Sequence, residues 1–195
     1  QSAKTPRQTH RLPCSRSTPV FVEGIHYSVM FYGGRLLSHL SAGDDEINDF
    51  ISLRSLNRYA ALVMDSDRMN VGDAINATKA RLIAEFSKHG GVAWLTAGRE
   101  IENYVPHSEL QAAVAEVYKS SYVKPGKGGR FDHALCFRRR KTKDLGSSES
   151  EEVFTEQNVD KVRVAHTVCT NGANLDVLDL RERIAELVAM IQEAN

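Results

Sequence analysis

The chain has too few cysteines for a disulfide framework. Only Cys14, Cys136 and Cys169 occur in 195 residues, an odd number with no paired spacing. That excludes a disulfide-stapled secreted domain and a zinc knuckle, and it fits a reducing cytoplasm. No apolar run reaches the roughly 20 residues that a bilayer span needs. The basic N-terminal stretch is followed by no apolar segment of signal-peptide length. There is no excess of charge of either sign, since Lys plus Arg and Asp plus Glu each number 25. Global charge therefore does not announce a nucleic-acid partner. His26, His39, His107, His133 and His166 show no His-x-x-x-His spacing, so they read as packing or surface residues. No Gly-x-x-x-x-Gly-Lys-Ser/Thr occurs, which excludes a P-loop ATPase in this stretch.

What is present suits a folded α/β protein. Hydrophobic residues make up 42% and charged residues 26%, the proportions of an ordinary globular chain. Residues 1–19 carry Lys4, Arg7, Arg11 and Arg16, no acid and no periodicity, and read as a disordered leader. With no Met at position 1, the chain reads as a processed chain, an expression product or a fragment. Phe21–Gly24 and His26–Gly34 read as extended. A helical turn follows at Leu36–Leu40. A helix opened by Asp44-Asp45-Glu46 carries Ile47, Phe50, Ile51 and Leu53 on its apolar face.

The decisive stretch is Tyr59-Ala60-Ala61-Leu62-Val63-Met64-Asp65-Ser66-Asp67. Six apolar residues bounded by polar ones are what a buried parallel strand looks like. Strand alternation is expected to send Asp65 and Asp67 to one side, past the strand's carboxyl end, where open α/β sheets bind ligands. A helix is predicted from Asp73 to Lys88, stopped by Gly90-Gly91. A second buried strand, Val92–Leu95, runs into Arg99-Glu100-Ile101-Glu102-Asn103-Tyr104. A helix from Ser108 to Lys119 uses Leu110, Val114, Val117 and Tyr118. Alternating strands and helices imply parallel strands joined by right-handed crossovers.

Residues 126–157 read as an irregular basic and polar segment, with a short strand at Phe131–Phe137 and a polar linker at 141–152. The run Arg138-Arg139-Arg140-Lys141 with Lys143 could meet phosphates, and reads more readily as a solvated loop. Residues 158–195 form helices. One spans Asn158–Cys169 with Val159, Val162, Ala165 and Cys169 inward. The other spans Leu175–Ile191 with a stripe of Val177, Leu180, Ile184, Leu187, Val188 and Ile191. The expected domains are a leader at 1–19, an α/β domain at 20–125, the irregular segment at 126–157 and a helical appendage at 158–195.

Two acidic pairs at corresponding places in successive strand–helix units bring four carboxylates to one sheet edge. Carboxylates crowded together repel unless a cation or proton lies between them, and hard divalent ions take such oxygens. Each pair alone also reads as solvated or helix-start acids.

Asp65-Ser66-Asp67 after a strand, the later Arg99–Tyr104 stretch, and His26–Leu40 together resemble the Toprim domain of the overcoming-lysogenization-defect (OLD) family. That family couples an AAA-type ATPase to a Toprim nuclease. The resemblance covers about residues 20–119, and more weakly 158–191. It implies a small, mostly parallel Toprim sheet flanked by helices. It also implies a two-metal Mg²⁺ or Mn²⁺ site that cuts DNA, with Asp65, Asp67 and one or both of Glu100 and Glu102 as metal ligands. Lys161 matches the family's late lysine and would neutralise transition-state charge. From its residues alone Lys161 reads as a solvent-facing helix residue. Two departures stand out. The family's Glu-Gly-x-x-Asp strand is missing, because Tyr27 stands where Glu23-Gly24 would need its aspartate, and no crossover helix fits before His26. The ATPase half is missing too. The expected partners are DNA and an ATPase domain elsewhere in the full-length protein, with no membrane, and a homodimer stays open. Two other classes compete: a non-catalytic Toprim remnant acting as a binding or regulatory module, and a receiver-type phosphoryl-transfer domain.

Overall fold

The computed structural model describes residues 20–31, 57–88, 90–140, 154–170 and 172–195. The leader at 1–19, the expected turn at 36–40, the helix opened by Asp44, the linker at 141–152, His39, Lys141 and Lys143 lie outside the described residues. The fold is mixed α/β. Among the described residues it holds a two-stranded parallel sheet, a three-stranded antiparallel sheet and four α-helices.

Strand β1 (Ala61–Met64) pairs in parallel with β2 (Val92–Leu95), Ala61 opposite Val92 and Met64 opposite Leu95. Helix α1 (Ala77–Lys88) makes the crossover between them. Thr78, Leu82 and Phe86, spaced by four, line its buried side, and Lys79 is buried with them. Leu82 and Met64 form a small core with Leu62, Ile83 and Leu95. The helix starts later than Asp73. Instead of opening it, the Asp73 carboxylate closes the preceding turn, accepting hydrogen bonds from Met69 N and Asn70 N at 2.8 Å each. The Asn76 side chain then accepts from Thr78 N at 2.7 Å and takes up an orphan amide at the true start. Gly90, at φ 73°, turns the chain out of the helix, a conformation that costs glycine little.

After β2 comes a short 3₁₀ turn, Ile101–Tyr104, then helix α2 (His107–Val117). Strands β3 (Lys124–Pro125), β4 (Cys136–Arg140) and β5 (Phe154–Asn158) form the antiparallel sheet in that order. Pro125 lies on an edge strand, where a missing N–H does no harm. Helices α3 (Lys161–Thr170) and α4 (Leu180–Ala194) complete the described chain. The main core joins Leu110, Ala113 and Val114 of α2 to Ala134, Leu135, Phe137 and Val164 of α3. The Tyr118 and Tyr122 rings pack on Phe137 at 5.0 and 5.6 Å.

Several expectations are corrected. Residues 126–157 are not merely irregular, since β4 supplies Phe137, which is fully buried. The expected strand at Phe131–Phe137 begins at Cys136, and most of its residues precede the ladder. Helix α3 is no appendage: Val164 is fully buried, whereas Val162 is 79% exposed and Ala165 and Cys169 face solvent. Phe21–Phe31 forms no strand. Gly24, at φ 82°, folds the chain back so that Gly24 N donates to Tyr27 O, and the His26 ring accepts from Val22 N. The α4 stripe Leu180, Ile184, Leu187, Val188 and Ile191 is half-buried, and the helix packs against β2. No described helix is long and apolar enough to cross a membrane.

Candidate functional site

The carboxyl ends of β1 and β2 are laced together by the small polar residues that follow them. Ser66 N donates to Thr96 Oγ1 at 2.8 Å, and Ser66 Oγ donates to Gly98 O at 2.6 Å. Asp67 N donates to Arg99 O at 2.9 Å. Ser66 and Thr96 are almost fully buried, so these are not bonds that water would replace. Gly98 is required here, because a Cβ would stand 2.6 Å from that of Asn103. The lacing fixes the two acidic pairs relative to one another.

Asp65 follows the sequence expectation. It is half-buried at the sheet edge, and its Oδ1 accepts from Ile101 N at 2.8 Å. Burial pushes its carboxyl above the ordinary value of 3.8. The charges of Glu102 and Asp67 add to that, against the opposing Ile101 amide and Lys161.

Asp67 departs from strand alternation. Its φ of 57° lies in the left-handed region, which a non-glycine residue adopts only when its surroundings hold it there. The bonds to Arg99 O and from Arg68 N to Ser66 Oγ do so. Asp67 is thereby turned to Lys79, whose ammonium donates to Asp67 Oδ2 and, at 2.7 Å, to Asp65 O.

Glu100 is buried, and both of its carboxylate oxygens meet protein groups. Its oxygens meet His133 Nδ1 at 2.7 and 3.0 Å, and Ala134 N donates to Oε1 at 2.6 Å. Glu102, across the 3₁₀ turn, receives Lys161 Nζ at 2.8 Å on Oε1, while its Oε2 is buried with no hydrogen-bond partner. Lys161 is the first residue of α3, and Asp160 caps that helix by accepting from Val162 N and Arg163 N. Burial alone would lower the Lys161 pKa. The hydrogen bond to Glu102 and the charges of Glu102, Glu100 and Asp65 outweigh it, and the ammonium sits above its ordinary value.

Asp65, Glu102 and Lys161 are thus brought together. Asp67 and Glu100 stand beside them, each committed to a protein partner. Lys79 and His133 had no signal in the sequence: Lys79 is one cation in a helix, and His133 belongs to no spaced motif. The basic run divides. Arg138 faces Glu156 across the ladder at 3.9 Å, Arg139 is exposed, and the rest lies beyond the described side chains.

Comparison with protein-family models, with curated proteins and with solved structures finds no match.

The residues themselves decide what could be held. Among the described residues no three His, Cys, Asp or Glu side chains form a ready ion cage. A hard cation needs fewer, since Mg²⁺ commonly takes one or two carboxylates and fills its remaining positions with water and phosphate oxygens. Asp65 and Glu102 supply that number, and the orphaned Oε2 of Glu102 is an acceptor that a cation would satisfy. One ion fits. A second would require Asp67 to release Lys79, or Glu100 to release His133 and Ala134 N.

Proposed function

We propose that the chain is the nuclease portion of an OLD-like ATP-dependent endonuclease, hydrolysing DNA phosphodiester bonds with a divalent metal ion. The observation that carries this reading is Lys161, which reaches Glu102 from 59 positions later in the chain and adds a cation to an edge built from Asp65 and Glu102. An acidic pair that binds metal, with a lysine poised on it, is the equipment of phosphoryl-group hydrolysis. Bound Mg²⁺ or Mn²⁺ supplies Lewis acidity and a water of lowered pKa. Asp65 and Glu102 would hold the ion, and Lys161 would offset the negative charge that builds on the phosphate oxygens. The Toprim-type site of that family also uses an acid from a Glu-Gly-x-x-Asp strand, for which this sequence has no counterpart, so cutting by this chain alone is expected to be weak or absent.

The test is a plasmid-nicking assay with Mg²⁺ or Mn²⁺, run beside Asp65→Ala. Metal-dependent nicking that the substitution abolishes supports the reading; cutting that survives it sinks the assignment. A specific observation favours the second reading, a non-catalytic binding or regulatory module: Asp67 and Glu100 are already satisfied by protein donors. Absence of any Mn²⁺ binding in a calorimetric titration would select that module.

A further inference from the structure

Lys79 is an unusual lysine. Its side chain is only 7% exposed, whereas that of its partner Asp67 is 68% exposed. Lysines on a helix normally run their stems along the surface and leave the ammonium in water. This one turns inward from α1 to the end of β1, and burying an ammonium is costly unless oxygens meet it. The oxygens it meets are the Asp65 main-chain carbonyl and the Asp67 carboxylate. Those are the ligand types that a hard cation takes. The left-handed backbone at Asp67 fits this role, because it turns the carboxylate away from the strand's alternation and onto the ammonium.

We propose that the Lys79 ammonium takes the place of the second cation at Asp67, so that the site binds one divalent ion per chain instead of two. The inference rests on the nuclease reading and narrows it. A second ion at Asp67 would have to sit beside the Lys79 ammonium, on oxygens that the ammonium already holds.

The experiment is a Mn²⁺ titration of the full chain, followed by calorimetry and by electron paramagnetic resonance of the free ion. One ion per chain is expected. Two ions overturn the inference while leaving the nuclease reading in place; no binding overturns the nuclease reading itself, and the inference with it. Asp67→Asn is expected to lower Mn²⁺ affinity by less than about 100-fold, as the loss of a neighbour that touches no ion does, whereas a greater loss would make Asp67 a ligand and refute the role of Lys79. Lys79→Met, of similar length and without charge, is expected to admit a second ion. If it folds and still binds one, the substitution by Lys79 is refuted. If it does not fold by circular dichroism, Asp67→Asn and the wild-type stoichiometry decide.

Discussion

Tyr104→Phe is the sharpest test of what holds the sheet edge in place. The Tyr104 hydroxyl accepts from Trp94 Nε1 at 3.0 Å and from Ala97 N at 2.9 Å, and donates to Asp179 ahead of α4. Phenylalanine keeps the edge-on ring contact with Trp94, at 5.4 Å and 79°, and removes only the oxygen. Trp94 and Tyr104 are each about 4% exposed, so water cannot readily take over the indole donor. Asp179 keeps Arg183 at 2.9 Å and loses little. Two donors left without an acceptor at 1–3 kcal/mol each, less the gain from a more apolar ring, give a cost of about 3 kcal/mol. For a chain of this size that is a fall of about 6–12 °C in Tm. Trp94 is the only tryptophan, so urea unfolding can be followed by its fluorescence with far-UV circular dichroism as a second probe. Tyr122→Phe is the control. Its hydroxyl donates to Gln111 Oε1 at 3.2 Å in a half-buried place, and its loss is expected to cost about 1 kcal/mol. If the two substitutions cost the same, the bridging hydroxyl does not hold β2 to α4.

Three further outcomes are expected. Asp65→Asn should stabilise the ion-free chain at pH 7 and leave its stability unchanged at pH 3. The folded carboxyl titrates above 3.8, so between 3.8 and that raised value the folded state holds the extra proton and stability falls as pH rises; below 3.8 both states are protonated. Urea midpoints at the two pH values check this, and the same variant should lose Mn²⁺ binding. Lys161→Met should lower the nicking rate by about 10²-fold or more while Mn²⁺ still binds, as for the loss of one transition-state charge partner. Initial rates at saturating Mn²⁺ measure it. Phe137→Ala should cost about 3–5 kcal/mol by thermal melting, since it empties a fully buried ring site beneath Tyr118 and Tyr122.

The parallel unit was legible because its signals are local. An apolar run and a polar stop mark β1 and β2, although β1 is not the buried strand expected, with only Met64 buried and Val63 45% exposed, and apolar residues spaced by four mark α1 and α2. The antiparallel sheet was not. In Cys136-Phe137-Arg138-Arg139-Arg140 only the first two side chains are known to be buried, and three arginines in a row conceal any alternation. In α3 two valine-bearing faces compete, 162–165–169 and 164–168. The position of α2, which no local pattern records, puts Val164 in the core with Val168 packed against it. At the site, the sequence pointed to the four acids and only the resemblance pointed to Lys161, which reaches Glu102 with Asp65 within range of both charges. It misplaced Asp67 because alternation holds only while the backbone stays extended, and that backbone turns left-handed one residue after Ser66. It could not foresee His133 on Glu100, a partnership 33 positions apart.

Helix α3 has a consequence for how this chain can be cut. The acids at 65–102 precede, in order of synthesis, the Lys161 that offsets Glu102 and the Val164 that closes the main core. A fragment ending near residue 125, where the sequence suggests a domain border, would keep the acids but lose that counter-charge. It would also open the apolar side of α2 to water. Any piece expressed as a unit must therefore extend at least through α3.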